Sequence, residues 1–527
     1  MAAKWWTLVA VCTGVFMLLL DVTIVNVALP DIEDQFSGSL SDLQWVIDAY
    51  ALSLAALLLT AGSLADLYGR KRVFIVGAVV FTAGSTLCGA APSLLFLTLA
   101  RAAQGVGGAA MFATALALIA SAFHGKDRGT AFGVFGATTG IAIAVGPVLG
   151  GVLTSGLSWR WIFFVNIPIC VVALVVSFWK VEESHDPRAG RPDLIGFVTF
   201  SVSLGSLVYG LIEAGRRGWG DERVLICFGA AAVLLVVFLV SQLVQRHPMF
   251  DLSLLRKPTF TGGLFAAFGV SASIFSLLTY LVIYVQNFLG YSAVQTGVRF
   301  LFLSGASFVA AAVAGRLTSH VPAKWLIAPG FLVLGGGLLL IHGFQVDSSW
   351  THLIPGLLVA GLGIGMINTP LASTAVGVVS HERSGMASGV NSTFRQVGVA
   401  TGIAALGSIF SHQVANGLGD RLAGSPVAGR VGQIAEALTG GQAQQVLAHV
   451  PAASRASVGR AMTASYVDAL NDITLIAAGI AFAAAVLTLL LVRQKDFVTQ
   501  GGPPPQQQDH TPQHLAPARG GAHASAG

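Results

Sequence analysis

The chain has 527 residues, of which 29 are Lys or Arg and 24 are Asp or Glu, so charged residues make up 10% and hydrophobic ones 54%. Ordinary soluble domains carry about 25% charge; with a mean hydropathy of +0.76 there is too little polar surface here to coat a water-soluble body, which excludes soluble-enzyme, disordered and collagen-like readings. The net charge of +5 does not point to nucleic acid, because the basic residues fall in short clusters between apolar runs and not along one face.

Those runs recur at about 20 residues, the length that crosses a ~30 Å hydrocarbon core at 1.5 Å per residue. The first, from Trp5 to Leu29, follows Lys4 and imitates a secretory signal, but Asp21 interrupts it and further spans follow, so it reads as a transmembrane helix. The next six spans are predicted at Leu43 to Ala65, Val73 to Ala90, Leu94 to Phe123, Ala131 to Thr154, Trp161 to Trp179 and Leu194 to Glu213. The last seven are predicted at Leu225 to Val244, Phe260 to Tyr284, Gly297 to Gly315, Trp325 to Phe344, Leu353 to Ser380, Ala387 to Phe410 and Ile473 to Val492. The fold class is therefore all-α: a polytopic membrane protein with 14 transmembrane helices. Residues 411–472 form a long external loop rich in Ala, Gly, Gln and Ser, and the tail 499–527, with its GGPPPQQQ stretch, reads as disordered.

Basic clusters set the orientation. Arg70, Lys71 and Arg72, then Lys126 and Arg128, then Arg256 and Lys257, then Arg493 and Lys495 all lie on one side, whereas the other side holds Arg160, Arg216, Arg217, Arg223 and Arg299. The positive-inside rule then places both termini in the cytoplasm and the chain in the plasma membrane.

A repeat supports two halves. Gly129, Ala131, Gly133 and Val134 match Gly385, Ala387, Gly389 and Val390 at an offset of 256; Gly105 with Gly361 and Gly146 with Gly402 keep that offset, and the segment from Gly62 is echoed from Gly315 at offset 253. The offset maps span 4 onto 12 and span 5 onto 13, an even shift that preserves direction, so the halves are parallel repeats of the kind that build alternating-access carriers. The expected division is an N-terminal six-helix bundle (1–180), two inserted helices with linkers (181–256), a C-terminal six-helix bundle (257–498) and the tail (499–527).

Charges inside the spans are few: Asp21, Asp48, Arg101 and Arg395, with Glu213 and Arg299 at outer ends. An intramembrane ion is costly and normally faces a partner or a water-filled cavity. By depth, Asp21, Asp48 and Arg101 share one layer, which is read as a proton site: a carboxylate whose access to water or to a guanidinium changes with conformation can bind and release a proton. A static Asp–Arg pair that locks helices is the alternative. Glu213 reads as an interfacial residue.

Other chemistries are excluded. The Gly125-Lys126 pair is followed by Asp127, so there is no Walker A loop, and neither HExxH nor GxSxG occurs. The four cysteines lie in apolar runs without a CxxC partner, and the 12 histidines show no ligand spacing. No enzyme activity, metal or cofactor is expected, and an ion gradient, worth about 2.3 kcal/mol per charge per 100 mV, is the energy source.

At this point the residues resemble a known family, the fourteen-helix drug:proton antiporter branch of the major facilitator superfamily. LDVTIVNVALP (20–30) is similar to its helix 1 signature, GSLADLYGRKR (62–72) to its loop 2–3 motif, ARAAQGVGGA (100–109) to its helix 4 motif and GPVLGG (146–151) to its antiporter motif; SWRWIFFVNIP (158–168), YVQNFLGYSA (284–293) and NSTFRQVG (391–398) add to the likeness. The resemblance implies proton-driven export of hydrophobic, often cationic, drugs or antibiotics by a monomer whose partners are protons, the small-molecule substrate and the bilayer. It implies coupling roles for Asp21, Asp48 and Arg101, a gating loop of Asp66, Gly69, Arg70 and Arg72, and a hinge at Gly146, Pro147 and Gly150. Asn26, Gln104, Gln286, Asn368, Asn391 and Arg395 are the candidates for lining the substrate cavity. Leu67 stands where the loop motif commonly has Arg, and spans 9 to 13 lack acids, which favours mono-cationic or neutral substrates over dications. An exporter dedicated to one self-made antibiotic or lipid, an uptake symporter and a non-transporting receptor are the rival readings; the helix 5 glycine–proline motif opposes uptake.

Overall fold

The computed structural model describes residues 3–497 apart from 37–39, 124, 186–191, 246, 319, 424, 426, 441, 442 and 449, so the tail expected to be disordered lies outside the described residues. Every regular element among them is helical. The first half contributes α1 (Ala3–Phe36), α2 (Leu40–Tyr68), α3 (Arg70–Gly89), α4 (Leu94–Ala122), α5 (Lys126–Gly156), the short α6 (Trp161–Phe164) and α7 (Asn166–Lys180). Then follow α8 (Leu194–Arg217), α9 (Glu222–Val244), α10 (Pro258–Asn287), α11 (Ala293–Leu317), α12 (Lys324–Ile341), α13 (Leu353–Gly377), α14 (Ser384–Leu422), α15 (Val431–Thr439), α16 (Ala443–Ala448) and α17 (Ala452–Leu491). Thirteen spans among the described residues are long and apolar enough to cross a membrane, and α5, 31 residues long, corresponds to the remaining predicted crossing.

The packing shows what the repeat is for. α4 lies against α2 and α3 as α13 lies against α11 and α12; α1 packs on α5 and α7 as α10 packs on α14 and α17. Each half buries its own apolar core: one is centred on Val11, Phe74, Met111 and Phe132, the other on Phe331, Leu334, Phe410 and Ile473. The halves meet along two seams, α5 on α11 and α2 on α14, which exchange under the same pseudo-twofold relation. Glycines make both seams close. A Cβ on Gly62 of α2 would collide with the Gly385 carbonyl oxygen and lie 3.2 Å from Gly389 Cα, and one on Gly315 of α11 would lie 2.7 Å from Gly129 O and from Gly133 Cα. These are the residues that the offsets 253 and 256 relate, so the sequence repeat is a repeated interhalf contact.

The inserted pair sits outside this arrangement. α8 packs on α2 and α14, with Thr60 and Ser201 hydroxyls 2.9 Å apart and Trp45 stacked on Tyr209, and α9 packs on α8.

The region 411–472 differs from the expected loop. α14 runs 39 residues and α17 runs 40, about 60 Å each and twice the ~30 Å apolar thickness. Both helices therefore continue beyond it, with α15 and α16 between. The cause is apolar spacing at helical period: Val414, Leu418 and Leu422 of α14, Val458, Met462 and Tyr466 of α17 and Ile434 and Leu438 of α15 are buried in one cluster, which extends the C-terminal core outward. Arg421 and Asp468 pair across the two helices at 2.5 Å.

Candidate functional site

Asp21 on α1 is fully buried and serves as the hub of a polar cluster. Arg101 Nη1 of α4 donates to its Oδ2 at 2.5 Å, and Gln104 Nε2 and Asn166 Nδ2 donate to its Oδ1 at 3.0 and 2.9 Å. Arg101 also donates to Gln104 Oε1 and, through Nε, to the Val46 carbonyl, with its guanidinium 4.3 Å over the Tyr50 ring. Ser85 joins Asn166 to the Phe163 carbonyl. Six helices, α1, α2, α3, α4, α6 and α7, thus contribute to the cluster around one charge pair, and the buried Tyr50 hydroxyl and Asn166 Oδ1 end it with no partner among the described residues. Removing one member of such a buried pair leaves an uncompensated charge, which typically costs about 3–5 kcal/mol.

Two sequence expectations are corrected here. Gln104 is not among the residues lining the cavity between the halves: three residues after Arg101 it shares that helix face and is turned to Asp21 instead. Asp48 does not join Arg101. Successive helical residues are about 100° apart, so Asp48 points almost opposite to Val46, whose carbonyl Arg101 holds. It pairs instead with Arg216 of the inserted α8 at 2.5 Å, and Arg216 and Arg217 also bind Glu213. The expected three-charge layer is therefore two clusters, one sealed inside the first half and one, with Asp48 and Arg216 about a fifth exposed, between α2 and α8. Glu213, four residues from the end of α8, is a buried member of the second.

At the basic end, the loop motif joins the halves. Asp66 accepts hydrogen bonds from the Gly385 and Met386 amides at 2.9 and 2.7 Å, so it caps the first turn of α14, where exposed amides favour an anion. Arg70 holds Asp66 through Nε and Nη2 and reaches the Glu382 carbonyl at 2.9 Å. Gly69 has φ 110°, a conformation glycine adopts readily, and a Cβ there would sit 2.5 Å from the Glu183 carboxylate carbon. Glu183 in turn accepts from the Lys71 and Arg72 amides at the start of α3. Arg72 itself is outside this latch: its side chain is 78% exposed and, among the described residues, pairs with Glu183 at 3.7 Å. Replacing Asp66 by Asn removes the charge from a cap made of charge-assisted bonds, each worth about 1.5–3 kcal/mol. The closed arrangement of this end should then fall about tenfold in population, read as a longer spin-label distance between α2 and α14.

α5 is one continuous helix through the antiporter motif. A Cβ on Gly146 would collide with Thr23, and one on Gly150 would lie 2.9 Å from Ile24, so these glycines let α5 lie close on α1. The Pro147 side chain, like that of Asn26, lies outside the described residues.

Between the halves lies a cavity of about 30 Å3. Asn368, Asn391 and Arg395 line one wall and Phe112, Leu116 and Phe135 the other. Three of the six predicted cavity residues thus come together. Gln286 does not join them, being one residue from the end of α10. Asn166, Glu183 and Arg216 were missed by sequence reasoning; for Asn166 the available signal was an amide before Pro168 inside an apolar run.

The model of the Major Facilitator Superfamily matches residues 11–403. The chain belongs to the Major Facilitator Superfamily. Within it, the chain is 38% identical over 406 residues to the multidrug resistance protein Stp of Mycobacterium tuberculosis, covering 77% of this chain and 75% of that one. It is 37% identical to the puromycin resistance protein pur8 of Streptomyces alboniger, covering 79% and 84%, and 34% identical to the probable actinorhodin transporter of Streptomyces coelicolor, covering 78% and 73%. The crystal structure of the human organic anion transporter MFSD10 shares the fold of this facilitator with a TM-score of 0.62 at 13% identity, over 92% of this chain and 99% of that one. It is a multi-pass membrane transporter of small molecules.

Proposed function

We propose that this transporter exports hydrophobic drugs or antibiotics across the plasma membrane in exchange for protons, acting as a monomer with both termini in the cytoplasm. The observation that carries the reading is Asp21: a carboxylate with no exposed surface, bound to one guanidinium and two amides contributed by other helices. Protonation of Oδ2 cancels the attraction to Arg101 and frees its Nη1, while Oδ1 still accepts from Gln104 and Asn166, so one proton loosens α1 from α4. The unpartnered Tyr50 hydroxyl and Asn166 Oδ1 offer the next hydrogen-bonding positions for a proton arriving through water. The relatives are resistance and export proteins, which supports drugs as cargo, and the basic loops support the orientation. Alternating access follows from the pseudo-twofold seams: the Asp66 latch and the Gly62 contact hold the basic end shut, and release of that end opens the central cavity to the cytoplasm. Gly146 and Gly150, close against α1, are the points at which a shift of α1 reaches α5, which gives the antiporter hinge a mechanical role.

Everted vesicles energised by a proton gradient test this directly. Addition of an exported drug should collapse part of the gradient, whereas absence of any drug-dependent proton flux across a panel of antibiotics would reject the reading. Asp48 has a lesser place. An ion pair with solvent access contributes about 0.2–1 kcal/mol, so Asp48→Asn should slow export by no more than about fivefold in that assay, and abolition would move the proton site to α2.

A further inference from the structure

We propose that the cargo carries an acidic or strongly hydrogen-bond-accepting group on an apolar, flat body, and that Arg395 of α14 is the residue that selects it. The inference rests on the export reading and names its substrate class. Arg395 is half-buried, lies on the wall of the central cavity, and among the described residues has one hydrogen-bond partner, Asn368 Oδ1 at 2.8 Å; no carboxylate among them is within ion-pair distance. Arg101, by contrast, has an acid and a carbonyl to itself. Beside it, Asn391 is 2% exposed and its Nδ2 has no partner among the described residues, although it faces the same cavity. A guanidinium and an orphaned amide N–H therefore converge on one point from a single helix face, four residues apart. Both are donors. Burying either without an acceptor is costly; a planar carboxylate supplies the two oxygens that a guanidinium fork binds best, and an enolate or phenolate supplies one anionic oxygen. A cation at the same point would face an unshielded positive charge.

The opposite wall is mainly apolar, formed by Phe112 and Leu116 of α4 and Phe135 of α5, with Thr139 its one polar side chain among the described residues. These side chains suit the ring system of an aromatic compound, with its charged edge turned across the seam to Arg395. The present volume of about 30 Å3 is that of a single water, so such a molecule enters only when the halves part. Arg395 then stands on the C-terminal wall while Asp21 stays within the N-terminal half. Cargo and proton accordingly occupy different halves, and an anionic cargo does not compete with the proton for one carboxylate.

Three pyrene probes with one apolar body separate the charge from the ring: pyrenebutyrate, its neutral primary amide, and the trimethylammonium analogue. Binding to the full-length protein in nanodiscs, followed by fluorescence anisotropy, should rank the butyrate tightest. Arg395→Gln should weaken the butyrate by about tenfold or more, the loss of one charge-assisted contact, leave the amide unchanged, and not weaken the ammonium compound; Arg395→Lys should recover part of the butyrate affinity. A wild-type protein that binds the ammonium probe tightest, or an Arg395→Gln protein that binds the butyrate as before or loses all three probes equally, would overturn the assignment. The wild-type ranking needs no variant to fold. Tightest binding of the butyrate together with no drug-dependent proton flux across the antibiotic panel in everted vesicles would sink the export reading and leave this one standing, and export of cations indifferent to Arg395 would do the reverse.

Discussion

Asp21→Asn should abolish proton-driven export while the protein remains inserted. The substitution keeps the volume but places an amide where three donors converge, and it leaves the Arg101 guanidinium buried with no counter-ion. A loss of about 3–5 kcal/mol is expected from that imbalance, visible as a lower melting temperature, and drug-dependent proton flux should drop to background. A static helix lock makes a different prediction, and the double variant separates the two. Asp21→Asn combined with Arg101→Gln removes both charges, so the stability lost in either single variant should largely return, a coupling readable from a double-mutant cycle. Export should not return. A double variant that pumps drugs normally would show the pair to be structural only.

The second large effect is expected at the glycine seams. A side chain at Gly62 meets backbone atoms of α14, and one at Gly315 meets backbone atoms of α5; backbone cannot rotate out of the way as a flexible side chain can. Overpacking of this sort costs about 1–3 kcal/mol, and a valine at either position should therefore deplete the closed basic end by roughly 5–150-fold. Gly62→Val and Gly315→Val should bind cargo, fail to export it, and show a long spin-label distance between α2 and α14. Gly229 on α9 has no neighbour within 4 Å of where its Cβ would be, so Gly229→Val should export normally and exclude a general insertion defect. Normal export by Gly62→Val would show that this seam does not close during transport.

The two experiments address different couplings. The first asks whether the proton acts through Asp21, and the second whether the contact between halves must open and re-form. If both succeed, the path from one to the other runs through α1, because Asp21 and the Thr23 that meets Gly146 lie two residues apart on that helix, and α5 carries the seam glycines Gly129 and Gly133.

Much of this was legible in the chain itself. Length and charge content required a membrane protein, run length gave the crossings, and the rarity of Asp21, Asp48, Arg101 and Arg395 marked them. The offset of 256 revealed the two parallel halves; that its glycines mark the contact between them came from the structure, where a glycine needed for backbone approach is kept in both copies of the repeat. Asp66 as a cap was legible from its place at a helix end beside Arg70. The extension of α14 and α17 was not, since Ala-rich, mildly apolar sequence satisfies a loop and a helix equally until a core exists for Val414, Leu418 and Leu422 to enter.

The sequence by itself determined the class of molecule, the number of crossings and which buried charges had to be accommodated, because those follow from the cost of placing polar groups in hydrocarbon. Only the tertiary structure decided who accommodates whom. Asp48 belongs to Arg216 and not to Arg101, Gln104 to the acid and not to the cavity, and Arg395 to no acid among the described residues. Hydropathy reports depth averaged over a helix, whereas pairing depends on the direction a side chain takes around that helix and on which helix, often more than a hundred residues away, lies in that direction.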